Sequence, residues 1–119
     1  MQYMLMYYDT PEAFAQRGDE RAETYWAGWN AYIGALAQSG AMVRGDGLQL
    51  PHTATSVRVR GEQRHVQDGP FADSKEQLGG YVVIDVADLD AALDWASRAP
   101  CASSGGVEVR PILPPPVRT

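Results

Sequence analysis

Two stretches of the chain are apolar at nearly every position, and most of the remaining extended segments alternate. In Gln2–Tyr8, Tyr3, Leu5 and Tyr7 point to one side of a strand and Met4, Met6 and Tyr8 to the other. Tyr81–Val86 is a β-branched apolar run of the kind covered on both faces. Both belong in the middle of a sheet. Thr55–Arg60 sets Val57 and Val59 against Arg58 and Arg60, and Val107–Arg110 alternates in the same way, so these strands are expected nearer the edges. Gly61-Glu62 suits a two-residue hairpin turn with glycine first, returning through Gln63–Gln67. Ala41–Leu50 is an extended segment interrupted by glycine and broken by Pro51.

Helical spacing occupies the gaps between strands. Thr10-Pro11 fits an N-cap followed by proline at the first helical position. Asp19–Ser39 reads as a long helix with Asp19 as cap, a stripe of Tyr25, Trp29, Ile33 and Leu36, and Gly40 just past its end. Gly28 and Gly34 inside it each cost about 1 kcal/mol relative to alanine, which points to close approach of another backbone or a ligand. Asp88 caps a second helix whose buried side is read as Leu89, Ala92, Leu93 and Ala96, ending near Pro100.

The order is strand, helix, middle strands, helix, strand: an α+β, ferredoxin-like βαββαβ plan with an inserted hairpin over residues 1–110. Residues 111–119, with Pro114-Pro115-Pro116, form an extended tail. Two helices cover one face of a sheet. Met4, Met6, Val82 and Ile84 are therefore expected to form an exposed apolar patch unless a second copy of the chain covers it, which predicts a homodimer.

Composition narrows the function classes. The 119 residues carry 45% hydrophobic and 21% charged residues and a net charge of −5, enough for one modest core. Without a basic face to neutralise phosphates, nucleic-acid binding is disfavoured. No apolar run approaches the roughly 20 residues of a membrane span, and no basic segment precedes an apolar one at the N-terminus. The single cysteine, Cys101, has no internal disulfide partner. These features lead to an expected cytoplasmic location.

Candidate chemistry is crowded into Asp68–Val86. Asp68-Gly69-Pro70 is a turn signal, and Phe71 is the lone aromatic of a polar loop, expected as its buried anchor. Asp73 and Glu76 have capping-box spacing, with Gly79-Gly80 closing a short helical turn. Asp68 serves either as a proton-transfer group or as a turn residue. Lys75 and Glu76 serve either as a ligand-holding and proton-moving pair or as solvated and capping charges. If they work, Asp68, Lys75 and Glu76 should converge on one cavity between sheet and helices, with Tyr8, Asp46 and His65 in secondary roles. Tyr25, Trp26, Trp29 and Tyr32, with Tyr7 or Tyr8, form either an aromatic core or the wall of a pocket for a flat organic ligand. His65 and His52 are candidate proton shuttles, but the two histidines and Cys101 lack metal-ligand spacing. No metal and no organic cofactor is expected, since no nucleotide-binding motif is present.

The DGPF run at Asp68–Phe71, the Lys75-Glu76 pair and Gly79-Gly80-Tyr81 resemble the YCII-related family, in the subgroup of DGPF-domain proteins. MQYMLMYY at the N-terminus and Gly45-Asp46-Gly47-Leu48 extend the resemblance from Met1 to about Pro111. It implies a ferredoxin-like fold paired into a dimeric α+β barrel. Some relatives are proposed to use a His–Asp pair with the histidine on the first helix. Asp19–Ser39 contains no histidine, so that pair does not carry over, although Asp46 matches the acidic member. Two functions follow. One is a small-molecule enzyme using acid–base chemistry, of isomerase, lyase or dehydrohalogenase type. The other is a non-catalytic ligand-binding or accessory protein, which the resemblance links to extracytoplasmic-function sigma factors.

Overall fold

The computed structural model describes residues 1–71 and 74–115. Among the described residues, six strands and three α-helices follow in the order β1 (Gln2–Asp9), α1 (Pro11–Ala15), α2 (Ala22–Ser39), β2 (Met42–Gly47), β3 (Thr55–Arg60), β4 (Gln63–Asp68), β5 (Gln77–Asp85), α3 (Leu89–Ser97) and β6 (Gly106–Pro111). The main sheet is antiparallel with strand order β2-β5-β1-β6, the ferredoxin-like arrangement. As the apolar pattern implies, β1 and β5 are central and β6 is an edge. The other edge is β2. Thr55–Arg60 instead pairs with Gln63–Asp68 in a separate two-stranded sheet, turned by Gly61 at φ 63°.

Burial alternates without interruption along β1, with Tyr3, Leu5, Tyr7 and Asp9 inside. Register decides which residues of β5 share that side. Tyr3 pairs with Ile84 and Leu5 with Val82, so Val82 and Ile84 face the helices rather than the open side. The open face instead carries Met4, Met6 and Tyr8 with Val83 and Tyr81. Val83 is fully buried there, flanked in register by Met4 and Arg44.

Tyr32 and Leu36 are the buried residues of α2, with Trp29 and Ile33 beside them. Its first residue is Ala22, three later than expected. Asp19 holds the preceding turn, accepting from the Arg21 backbone N–H at 2.8 Å and pairing with its guanidinium at 2.6 Å. Gly40 ends the helix in the left-handed conformation, φ 81°. Asp88 caps α3 through the Ala91 N–H at 3.0 Å, but the buried stripe is Ala92, Ala96 and Ala99. Leu89 and Leu93 are exposed, because α3 meets the sheet through its small residues. Ile112 continues the pairing with β1, donating to the Gln2 carbonyl at 2.9 Å.

The stretch before β5 departs most from expectation. Residues 74–76 form no helix, and Gly79-Gly80 lies inside β5, where the register shifts opposite Tyr7 and Tyr8. Asp73, the expected cap, falls outside the described residues. Phe71 is 61% exposed and is covered on one side by the Arg58 guanidinium, 4.3 Å from its ring centre.

Close approach falls at glycines other than those in the helix. A Cβ on Gly28 or Gly34 would meet nothing within 4 Å, whereas one on Gly105 would collide with the Tyr8 carbonyl oxygen and stand 2.7 Å from the Asp9 Cα. Gly105→Ala is therefore expected to lower stability by about 2–3 kcal/mol. Exposed Gly28→Ala should raise it by about 1 kcal/mol. Urea midpoints of the two variants, compared at constant slope, check both signs.

Candidate functional site

A cavity of about 240 Å³ lies between the helix-facing side of the sheet and α2. Its floor is Tyr7 and Asp9 of β1 with Gly79, Gly80 and Val82 of β5, and β2 closes one side through Met42 and Gly45–Gly47. Phe14 of α1 and Tyr25, Trp26, Trp29, Asn30 and Ile33 of α2 form the opposing wall. The β5 glycines make room for this. A Cβ on Gly79 would stand 2.7 Å from Phe14, and one on Gly80 would stand 3.0 Å from the Asp46 carbonyl oxygen.

The aromatic residues meet edge to face. Tyr7 lies 5.0 Å from Trp29 and 5.9 Å from Tyr32, and Trp29 lies 5.9 Å from Tyr32, all steeply inclined. At the rim, Arg17 acts as a clasp. Its guanidinium sits over Phe14, Tyr25 and Trp26 and donates to the Leu48 carbonyl at 2.7 Å, the Gly79 carbonyl at 3.3 Å and the Tyr25 hydroxyl at 3.0 Å. It thereby ties the α1–α2 connection to the ends of β2 and β5.

The polar groups on the floor differ in what they can do. Tyr32 Oη donates to the Trp95 carbonyl at 3.0 Å, an acceptor only, so the 2.9 Å contact between Tyr7 and Tyr32 has Tyr7 as donor. Burial raises both phenols above their ordinary pKa. Their protons are committed to a chain that ends on backbone, and neither exchanges protons with the cavity.

Asp9 is only 6% exposed. Its Oδ1 accepts from the Thr10 N–H at 3.0 Å and from Ser104 Oγ at 2.8 Å. Oδ2 makes no hydrogen bond to the described residues, and Asp9 lines the cavity. No buried side-chain nitrogen or oxygen among the described residues lacks a partner, so the unbonded Oδ2 retains access to water. A serine or asparagine would hold the same corner without a charge.

The loop candidates lie elsewhere. Asp68, Lys75 and Glu76 are all exposed, none lines the cavity, and among the described residues no ion pair joins them. The expected convergence on one cavity is not what the fold produces, because Asp68 ends β4 in the separate hairpin sheet and Lys75 and Glu76 precede β5, which begins at Gln77. Trp29 and Asp46 do line the cavity. The Asp46 carboxylate accepts from the Tyr81 hydroxyl at 2.7 Å. Tyr8 belongs to the open face of the sheet, His65 is exposed on β4 opposite Arg58, and His52 is exposed in the short turn after β2. Among the described residues, no group of three His, Cys, Asp or Glu is placed to hold a metal ion.

Asp9 is the residue the sequence reading missed. Its signal was available in the period of two that runs Tyr3, Leu5, Tyr7, Asp9 and sets a carboxylate on the buried stripe. Next to it, the Cys101 thiol is pushed up to about 12, mainly by burial and then by the charge of Asp9. Such a thiol is a poor nucleophile. Folding that raises a pKa stabilises below the unfolded value and loses that contribution as pH rises through the folded one. The contribution of Cys101 is thus full below about pH 9 and lost by about pH 12. Native protein at pH 8 should resist a thiol reagent for hours, and denatured protein should react within minutes. Rapid labelling of the native state would show that Cys101 is accessible.

Comparison with known proteins gives the chain its relatives. A structure of 5-chloro-2-hydroxyhydroquinone dehydrochlorinase (TftG) from Burkholderia phenoliruptrix AC1100, in complex with 2,5-dihydroxybenzoquinone, superposes with a TM-score of 0.54. The match covers 95% of this chain and 94% of that one at 15% identity, a likeness of fold. An uncharacterised protein of Rhizobium meliloti (strain 1021) is 47% identical over 66 residues, spanning 53% of each chain, so the match reaches about half the length of that relative. The YCII-related domain matches residues 1–115, and the chain belongs to that family.

Proposed function

We propose that the cavity between sheet and α2 is a small-molecule site, and that the protein carries out acid–base chemistry there with Asp9 as the proton-transfer group. The reaction class is proton abstraction leading to isomerisation or elimination. The observation that carries this reading is the buried Asp9 carboxylate, held by one oxygen and unbonded at the other, at the foot of an aromatic-walled cavity. Such a group is oriented by its own corner and directed at a ligand, which is what a general base requires. Trp29 contributes ring surface, and the β2 segment Gly45–Gly47 borders the sheet side.

One observation favours the non-catalytic alternative of a ligand-binding accessory protein. With the Tyr7 and Tyr32 protons committed to backbone and the Cys101 thiol held protonated, Asp9 has few partners for a second proton-transfer step.

Indole resonances of Trp26 and Trp29 during a fragment screen provide the test. Binders should shift these resonances, and Asp9→Asn should weaken the best of them at least tenfold while moving Tm by only a few degrees. If Asp9→Asn has no effect and Asp68→Asn or Glu76→Gln removes binding, the chemistry belongs to the loop and this reading fails. Binding without turnover of any analogue supports the accessory role.

The open face of the sheet supports a homodimer as part of the same proposal. Met4, Met6, Tyr8, Val83 and Tyr81 form its centre, bordered by the Glu108–Arg110 ion pair at 2.8 Å. Helices cover only the other face, and an apolar sheet surface of this kind is a site of association. Light scattering at micromolar concentration should give twice the 13.0 kDa chain mass, and Met6→Glu should return it to 13.0 kDa. A wild-type monomer that persists at high concentration would contradict the dimer.

A further inference from the structure

We infer that the cavity selects a single-ring molecule that presents a hydrogen-bond donor, a protonated amine or a phenol hydroxyl, to Asp9 Oδ2, and that it rejects carboxylates. This rests on the reading of the cavity as a ligand site. Three observations lead to it.

The first is size. At about 240 Å³ the cavity is below the usual range for drug-sized ligands and above the roughly 150 Å³ that holds benzene. One ring with a short substituent fills it.

The second is charge. The lining residues include Asp9 and no lysine, arginine or histidine, while the Asp46 carboxylate is bonded to Tyr81, its register partner on the open face. At the rim, the Arg17 guanidinium is turned onto two backbone carbonyls and the Tyr25 hydroxyl. An anion entering this site meets like charge and no cationic lining group to receive it, which raises its desolvation cost. A cation meets a carboxylate and the faces of aromatic rings, both attractive.

The third is hydrogen-bonding sense. The Tyr7 hydroxyl is spent on Tyr32, and the Asp46 carboxylate accepts from Tyr81. Asp9 Oδ2 is left as a water-accessible acceptor on a residue that lines the cavity, where a ligand donor can replace water and a ligand carboxylate cannot. Asn30 supplies a neutral amide at the wall, able to bind a phenol oxygen but not to neutralise a carboxylate.

The test titrates full-length protein with probes of one skeleton, 2-phenylethylamine, 4-ethylphenol, 3-phenylpropionate and ethylbenzene, following the indole signals of Trp26 and Trp29. The amine and the phenol should each bind at least tenfold more tightly than 3-phenylpropionate. Their order identifies the natural donor: amine first indicates ion pairing, phenol first indicates neutral donation. Asp9→Asn should cost the amine at least tenfold and leave ethylbenzene within twofold. The wild-type series stands alone should Asp9→Asn fail to fold. If 3-phenylpropionate binds as tightly as the amine, the selectivity is overturned while the cavity remains a ligand site. If none of the four probes binds, both this inference and the small-molecule reading of the cavity fall.

Discussion

The molecule depends on the antiparallel pairing of β1 with β5. That register sets Tyr3, Leu5 and Tyr7 beside Ile84, Val82 and Gly80, and so fixes which side of the sheet the helices cover. The same ladder is interrupted once, at Gly79-Gly80, and the interruption makes the cavity possible. A side chain at Gly79 would collide with Phe14, and one at Gly80 would crowd the backbone of β2. A fully regular sheet would bring α1 and the β2 edge no nearer than ordinary side chains allow. Here Phe14 and Arg17 come down onto bare backbone, and the room left between them and β1 is the site.

Most of the architecture was legible in the amino-acid pattern, because periods of two and of 3.6 report directly on faces and helices. The central strands, the hairpin with Gly61, the Asp88 cap and the Gly40 stop all follow from local chemistry. What was not legible depended on register. Val82 and Ile84 are indistinguishable from Val83 until it is known which of them stands opposite Leu5. The length of the extended segment before Tyr81 was also hidden, since Gly79-Gly80 reads equally as a helix end and as a strand bulge.

The candidate site was half legible for a related reason. Trp29 and Asp46 were found because an aromatic helix face and a Gly-Asp-Gly strand stand out in composition. The charged loop drew attention by its density, yet charge density in a connection is satisfied by water at little cost. Asp9 was overlooked because Asp9-Thr10-Pro11 looks like a turn opening a helix. Thr10 does cap α1, with Oγ1 accepting from the Ala13 N–H at 3.3 Å. The aspartate beside it is thereby free to serve the interior instead.

The β3–β4 hairpin stands apart from the main sheet, and the radius of gyration is 16.4 Å where a compact chain of this length has about 13.5 Å. Val57, Val59 and Val66 lie exposed along it, and its base is held by Ser56 and Gly69, which bonds Ala54. An isolated two-stranded ribbon is marginal in water. The hairpin therefore forms its own cooperative unit, able to open and close while β1, β5 and the helices stay folded. Amide hydrogens of β3 and β4 are expected to exchange through that local opening, whereas those of β1 should await unfolding of the whole domain. On this reading the chain has two stabilities, and the residues that carry the candidate site belong to the higher one.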